Sequence, residues 1–198
     1  MSCAALGFRA HSGWAATVAL RGPASSPHVF ARRRIELVEP GVPKQPYHTA
    51  EGLPFPSAEK MVTQSVAVAT RLAREAVQAV VAELRQRGCE HITCGVLQAS
   101  GRSLPGLEQI LSSHALIHTA EGELFRNAVA SACEDQGLPV SRVKERELLA
   151  DAGKQLGMSA EEVQRQVADM GRPLGAPWGQ DQKYAALIAW MALAKAQH

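Results

Sequence analysis

The sequence lacks the features that would assign it to several classes of protein. Its cysteines are widely spaced, at Cys3, Cys89, Cys94 and Cys133. None forms the C-x-x-C pair that structural zinc sites and redox motifs use, so we interpret them as buried or half-buried reduced thiols. No stretch reaches the roughly 18 apolar residues of a membrane span, and Arg9 and His11 break the apolar character of the N-terminus. These absences predict a cytoplasmic protein with no membrane association.

A large excess of charge of either sign is also absent. The chain has 21 Lys and Arg against 19 Asp and Glu, which gives a net charge of +2 at pH 7. This balance is too even for the whole molecule to capture nucleic acid or an anionic membrane by electrostatics. Nucleic acid is a possible partner, but the net charge does not indicate it, and any binding would depend on local contacts.

The familiar nucleotide-binding and hydrolase motifs are missing too. The chain contains no P-loop, no G-x-G-x-x-G fingerprint and no G-x-S-x-G elbow, and the glycines between Gly95 and Gly106 have none of these spacings. Its function must therefore be sought in the order of its helices and strands and in its polar residues.

Strand patterns open the chain. Residues 4–10 and 14–20 are mostly apolar runs on either side of a Ser12-Gly13 turn, and residues 28–38 alternate in part. We expect these strands to form an antiparallel meander. The proline-rich stretch 39–57 follows, and we predict a loop there because proline is excluded from helix interiors and central strands.

Helices and strands alternate in the rest of the chain. Ser57 is the predicted N-cap of a long amphipathic helix that ends at Gly88, and residues 89–97 are typical of a buried strand. A second helical zone ends at Gly137, and residues 138–143 are predicted to form a strand parallel to the previous one.

The tail is predicted to be helical in pieces. Residues 144–156 form one piece, Ser159 and Glu162 have the spacing of a capping box, and the last helix is predicted over residues 181–197.

The predicted elements are three strands, a helix, a strand, a helix, a strand and a terminal helix. This order resembles that of the RNase H-like fold. Within that fold the chain resembles the RuvC-type Holliday-junction resolvases. One stretch that carries the resemblance is the strand-turn-strand start with Gly13. The other runs from Ala120-Glu121-Gly122 into Gly137-Leu138-Pro139-Val140, then to a segment with Lys144 and a final helix that begins with an acid.

The resemblance implies a single α/β domain over residues 1–198. It would be built on a mixed five-stranded sheet flanked by helices, with a helical C-terminal elaboration. The proline-rich loop 39–57 and the helical segment 144–170 would be additions to that domain, and a homodimer is a further option.

Nucleases of this fold place acids on the first strand, near the end of the fourth strand and on the last helix, where they hold two divalent cations. In this chain the first strand offers Arg9 and His11 instead, and the fourth-strand position falls near the neutral Gln98. Of the three positions, only the one on the last helix has an acid, Asp181. The first hypothesis is therefore a binding or scaffold module that lacks two-metal nuclease activity.

The second hypothesis is a metal-dependent phosphoester hydrolase with a rebuilt site. His118 and Glu121 share one helix face at a spacing of three, and with Asp181 they are the catalytic candidates. We expect them to converge with His11. A divalent metal is implied as cofactor only under this hypothesis, and no metal-ligand set is assigned. The alternative is that His118 and Glu121 form a solvated helix face or a structural hydrogen-bonded pair.

The pentapeptide His48-Thr49-Ala50-Glu51-Gly52 repeats residues 118–122 in residue type. Because the flanking residues differ, we interpret the repeat as a coincidence. Functional residues are often found on loops, so His48 and Glu51 can still reach the same pocket and are binding candidates.

Trp178, Lys183 and His11 complete the binding candidates. Trp178 lies between a proline and a glycine directly before the last helix, where it could line a pocket, stack on a base or close the end of the core. The run Arg32-Arg33-Arg34 could contact phosphate, but a charged edge strand is an ordinary device against aggregation.

Overall fold

The computed structural model describes residues 2–99, 101 and 103–197. Its strands are β1 Ser2–His11, β2 Trp14–Arg21, β3 His28–Glu36, β4 Cys89–Gln98 and β5 Val140–Lys144. They form a five-stranded sheet in the order β3-β2-β1-β4-β5. β2 is antiparallel to β1 and β3, whereas β4 is parallel to both β1 and β5. The predicted mixed sheet is confirmed.

A two-residue turn connects β1 to β2. His11 pairs with Trp14, and Gly13 between them has a φ of 83°, in the left-handed region that glycine adopts without steric cost. The carbonyl oxygen of Gly13 also accepts a hydrogen bond from the backbone N–H of Leu37 at 2.8 Å. This turn therefore fixes the end of β1 against the residues that follow β3.

The helices lie on both faces of the sheet. They are α1 Pro46–Ala50, α2 Phe55–Gln86, α3 Leu107–Leu111, α4 His114–Asp135, α5 Leu148–Leu156, α6 Ala160–Gly171 and α7 Gln180–Lys195. Leu6 and Phe8 of β1 are buried with α2 and α4, while Ala5 is buried with α5, α6 and α7. Side chains alternate along a strand, so Arg9 and His11 share the face of Ala5.

Helix α7 lies very close to the centre of the sheet. A Cβ on Gly7 would overlap the carbonyl oxygen of Ala185, and a Cβ on Gly95 would be 2.6 Å from the carbonyl oxygen of Ile188. The two glycines let the helix backbone rest directly on β1 and β4. This contact brings Asp181, in the first turn of α7, to the end of β1.

The proline-rich stretch differs from its prediction. A loop through residues 39–57 was expected, but Pro46–Ala50 forms α1, and α2 begins at Phe55 with Pro54 as its N-cap. The prediction of Ser57 as the N-cap was therefore wrong. The first backbone N–H groups of a helix have no intrahelical partner, so proline is accepted in the first turn.

The segment 144–170 is helical in the predicted way, except at its start. Lys144 ends β5 and is followed by a 3₁₀ turn over Glu145–Glu147. The predicted capping box is confirmed, because the Ser159 hydroxyl accepts from the Glu162 N–H at 3.2 Å and the Glu162 carboxylate accepts from the Ser159 N–H at 2.8 Å.

Strands β1, β3, β4 and β5 run in the same direction, so they end at one edge of the sheet, which we call the carboxyl edge. Helix α1 follows the end of β3, and α4 begins near this edge because it leads from β4 back to the start of β5. The carboxyl edge therefore brings together polar side chains from both faces of the sheet.

All four cysteines lie within the described residues and none of them forms a disulfide there; Cys3 is half-buried and the others are buried. None of the helices in the described ranges has the length and hydropathy that crossing a bilayer requires.

Candidate functional site

On the α7 face of the carboxyl edge, Arg9 contacts two carboxylates. Its Nη1 donates to Asp181 Oδ1 at 2.6 Å and its Nη2 donates to Glu145 Oε1 at 2.6 Å. A third, longer bond of 3.3 Å joins Nε to Glu145 Oε2, so the pair with Glu145 is bidentate. His11 Nε2 lies 2.8 Å from Asp181 Oδ1. We call Arg9, His11, Glu145 and Asp181 the arginine network.

The positively charged guanidinium of the arginine network, that of Arg9, is partly buried. The side chain of Arg9 is 13% exposed, and its guanidinium carbon lies 4.9 Å from the centre of the Tyr184 ring. Burial alone would lower the pKa of Arg9, but the hydrogen bonds and charges of Glu145 and Asp181 outweigh it and raise that pKa. Arg9 therefore remains charged between its two acids.

A second arginine lies within electrostatic reach of this network. Burial lowers the pKa of Arg126 on α4, the charge of Arg9 lowers it further, and the charges of Glu123 and Glu145 act in the opposite direction. The positive charge of this part of the molecule is thus shared between the sheet and α4.

The two divalent cations that the fold implies do not fit these residues. Such ions lie about 4 Å apart and need several carboxylates to offset their charge. Here Glu145 and Asp181 are both bonded to a guanidinium from the first strand, and β4 ends at the neutral Gln98. A fixed cation from the chain itself stands beside the acids that would hold metal.

On the other face of the carboxyl edge, three imidazoles meet. His48 of α1 and His114 and His118 of α4 each offer one ring nitrogen, and these nitrogens lie within 4.8 Å of one another. Nε2 of His114 and Nε2 of His118 are 3.1 Å apart. The rings of His48 and His118 have centres 4.6 Å apart at an angle of 67°. We call these three residues the histidine cluster.

Glu121 ties the histidine cluster to the chain behind it. Its side chain is 5% exposed, and Oε1 accepts from the backbone N–H groups of Tyr47 at 2.6 Å and His48 at 3.0 Å. These are first-turn N–H groups of α1, which lack partners within the helix. Burial raises the pKa of Glu121, although the N–H groups of His48 and Tyr47 act against that rise.

The two matching pentapeptides contact each other at this place. His48 Nδ1 of the first lies 3.4 Å from Glu121 Oε1 of the second, and Glu51 Oε1 of the first lies 3.6 Å from Nδ1 of His114. A glutamate from each segment therefore stands beside a histidine of the opposite helix. From the sequence we interpret the repeat as a coincidence. The fold nevertheless brings both segments into one cluster.

The predicted site residues fall into two groups. His11 and Asp181 belong to the arginine network, whereas His118, Glu121, His48 and Glu51 belong to the histidine cluster or contact it. Within the described residues, the hydrogen bonds and ion pairs of the two groups are separate. The first group is on the α7 face of the sheet, and the second belongs to α1 and to α4, which packs on the other face.

Trp178 and Lys183 lie beside α6 and α7. The indole N–H of Trp178 donates to the carbonyl oxygen of Val167 at 2.9 Å, and its ring covers Gly171 so closely that a Cβ there would overlap it. These contacts are those of a tryptophan that closes the end of the core. Lys183 lines a surface pocket of about 330 Å³ together with Tyr184.

The arginine run on β3 makes structural contacts. The guanidinium of Arg32 donates to carbonyl oxygens of the segment 174–177, including Gly175 at 2.7 Å and Ala176 at 2.8 Å. Arg33 pairs with Glu83 of α2 at 2.6 Å, and Arg34 lies 3.9 Å from the centre of the Trp14 ring.

Two residues of these groups, His114 and Glu145, are not among those predicted from the sequence. His114 precedes His118 by four residues, and this spacing on a helix was a readable signal for two ligands on one face. Glu145 directly follows the end of a parallel strand, where polar residues meet at a sheet edge, but its segment was predicted to be helical.

Two solved structures of Thermus thermophilus RuvC resemble the chain. One is RuvC in complex with Holliday junction substrate, with a TM-score of 0.53 at 13% sequence identity; 98% of this chain and 95% of that chain are covered. The other, of RuvC, has a TM-score of 0.53 at 14% identity with the same coverage. No protein-family model and no curated protein matches the chain. At this level of identity the likeness is one of fold, and together with the strand order it establishes that the chain has the RNase H-like fold.

Proposed function

We propose that this chain is a binding module with the RNase H-like fold and does not cleave nucleic acid by the two-metal mechanism. The observation that carries the proposal is the position of Arg9, whose guanidinium lies 2.6 Å from both Glu145 and Asp181. A permanently charged guanidinium cannot be titrated away at physiological pH, so it competes with cations for both carboxylates.

Branched DNA is the ligand class we infer for this module. A RuvC of the same fold is described in complex with Holliday junction substrate, and nearly all of this chain aligns with it. With a net charge of +2, binding would depend on a few cationic side chains at the carboxyl edge. Lys183, near the beginning of α7, is the candidate among the predicted binding residues.

The test is a gel-shift titration of the full chain with branched, double-stranded and single-stranded DNA at two salt concentrations, with and without Mg²⁺. We expect the branched DNA to be bound at low salt, more weakly at high salt, and left intact in Mg²⁺. The Lys183→Ala variant should bind several-fold more weakly with a smaller salt dependence.

The matched control is Lys195→Ala, because Lys195 is exposed at the other end of α7. Its affinity should equal that of the wild type. Cleavage of the branched DNA that requires Mg²⁺ and is lost in Asp181→Asn would overturn the absence of two-metal chemistry. A lack of binding at low salt would remove nucleic acid as the ligand.

A second candidate function is metal-dependent phosphoester hydrolysis at the histidine cluster. Three converging imidazoles beside the buried Glu121 favour it, since imidazole and carboxylate can hold a metal or transfer protons. Asp181, one of the predicted catalytic residues, contacts Arg9 instead and takes no part here.

This candidate is tested by measuring the metal content of the purified protein and its activity on a simple phosphodiester with and without added Zn²⁺. The expected result is hydrolysis that Glu121→Ala reduces by about 100-fold or more, as expected for a positioned proton-transfer group. A protein that retains metal and shows no hydrolysis would exclude the candidate.

A further inference from the structure

We propose that His48, His114 and His118 bind one divalent transition-metal ion, with zinc as the reference ion. The proposal is independent of the binding function above. It concerns the opposite face of the carboxyl edge from the one where Arg9 meets Asp181 and Glu145.

The distances in the histidine cluster are close to those of a metal chelate. Zinc binds imidazole nitrogen at 2.0–2.1 Å, so two nitrogens of a tetrahedral site lie about 3.3 Å apart. The Nε2 atoms of His114 and His118 are 3.1 Å apart, and each of the three histidines offers one ring nitrogen within 4.8 Å of those of the other two. His114 and His118 are exposed, so their rings can adjust to the third ligand and a metal ion can enter from solvent.

Two carboxylates, those of Glu51 and Glu121, lie close to the Nδ1 atoms of histidines in the cluster. A histidine that binds metal through one ring nitrogen usually donates the N–H of the other nitrogen to a carboxylate. His114 has Nε2 towards His118 and Nδ1 3.6 Å from Glu51. His48 has Nδ1 3.4 Å from Glu121, which leaves Nε2 as its nitrogen for a metal bond.

The buried atoms behind His48 give an independent reason for a ligand. Within the described residues, His48 Nδ1 and Glu121 Oε2 are buried and make no hydrogen bond, which is costly in a protein interior. A metal bond at Nε2 would place the proton on Nδ1, from where it can be donated to the Glu121 carboxylate. Metal binding on the outer side of the ring would thus satisfy the buried Nδ1 on its inner side, through the Glu121 Oε1 that lies 3.4 Å away.

The ligand chemistry selects the class of metal. Three neutral imidazoles suit zinc, cobalt, nickel or copper, whereas magnesium and calcium require oxygen ligands. Three protein ligands leave one tetrahedral position for water or another small ligand. The ion would also join α1 to α4, since His48 belongs to the first helix and the other two ligands to the second.

The experiment is a titration of the metal-stripped full chain with Zn²⁺ against a competing chelator, together with the visible spectrum after Co²⁺ is added. We expect one metal ion per chain and the strong absorption of tetrahedral cobalt. His118→Ala should weaken zinc binding by more than about 100-fold, above the range found for residues that only support a ligand. Glu121→Gln, as a positioning change, should keep the stoichiometry and weaken binding by about tenfold.

The matched control is His28→Ala. His28 is an exposed histidine at the start of β3, with Nδ1 2.8 Å from the carbonyl oxygen of Ser26, at the opposite edge of the sheet. This variant should bind zinc as the wild type does. His114→Ala provides a second exposed ligand variant if His118→Ala does not fold.

The proposal is overturned if Zn²⁺ does not bind, or if removal of His114 and removal of His118 both leave the affinity unchanged. The assay uses neither DNA nor a phosphodiester. A failure of metal binding is therefore distinct from a failure of DNA binding, whereas it would also exclude metal-dependent hydrolysis at the histidine cluster.

Discussion

The arginine network and the histidine cluster occupy two faces of the same edge of the sheet. In the first, Arg9 brings its own positive charge to Glu145 and Asp181, with bonds as short as 2.6 Å. In the second, the buried Glu121 contacts only backbone N–H groups and a histidine in its described bonds. One region supplies its cation from within the chain, whereas the other presents the exposed imidazoles of His114 and His118 to solvent.

The difference teaches that the position of a site in a fold does not determine its chemistry. An arginine is a fixed cation whose loss requires a mutation, while a group of imidazoles holds a cation that can enter or leave. The carboxyl edge supports both because β1 and α7 build one region, and α1 and α4 build the other.

Among the variants that test this comparison, Gly7→Ala is expected to have the largest effect on the free energy of unfolding. The added Cβ would overlap the carbonyl oxygen of Ala185, so α7 must move away from the sheet and take Asp181 with it. We expect a loss of about 3 kcal/mol in the free energy of unfolding, measured by urea denaturation. The histidine cluster, on the other face, should keep its metal affinity in the folded fraction.

Gly106→Ala is the control for this prediction. Gly106 has a φ of −61° and no atom within 4 Å of an added Cβ, so a methyl group fits without strain. If both variants unfold at the same urea concentration as the wild type, the close contact between α7 and the sheet is not a stabilising constraint.

A smaller effect is expected from Arg9→Ala. This change leaves Glu145 and Asp181 close together without the cation that both contact. Because all three side chains are partly buried, we expect the free energy of unfolding to fall by about 2 kcal/mol. Urea denaturation at low and high salt measures the loss, and salt should reduce it by screening the two carboxylates.

Arg33→Ala should give the smallest effect and serves as the matched control. Arg33 also forms a 2.6 Å ion pair, with Glu83, but both side chains are more than one third exposed. We expect a loss in the free energy of unfolding that is several-fold smaller than that of Arg9→Ala, because water and salt screen an exposed pair. Equal losses for the two arginine variants would show that burial does not distinguish the arginine network from an ordinary surface pair.

The sequence was sufficient for most of the fold. Local patterns in the sequence predict most elements, because residues that are close in the chain determine them. Examples are the alternation in the first strands, the long apolar face of α2 that includes Val62 and Leu84, and the Ser159 capping box. The order of strands and helices then restricts the sheet to few topologies. The proline-rich stretch was mispredicted because proline at a helix start and proline in a loop look alike in sequence.

The site was less predictable because its contacts are distant in the chain. Arg9 is separated from Glu145 by 136 residues and from Asp181 by 172. The sequence revealed that no acid stands at the Arg9 position, but it did not reveal which acids would surround that arginine. The two matching pentapeptides were visible, yet their contact depends on how α1 packs against α4.

The bonds from Glu121 to Tyr47 and His48 also bear on the order in which the chain folds. A helix of five residues has too few internal hydrogen bonds to form alone in water, so α1 depends on the carboxylate that α4 offers to its first turn. We therefore expect residues 46–50 to be helical only while this contact with α4 is in place. The amide protons of Tyr47 and His48 should then exchange with solvent when the contact between α1 and α4 opens, which native-state hydrogen exchange measures.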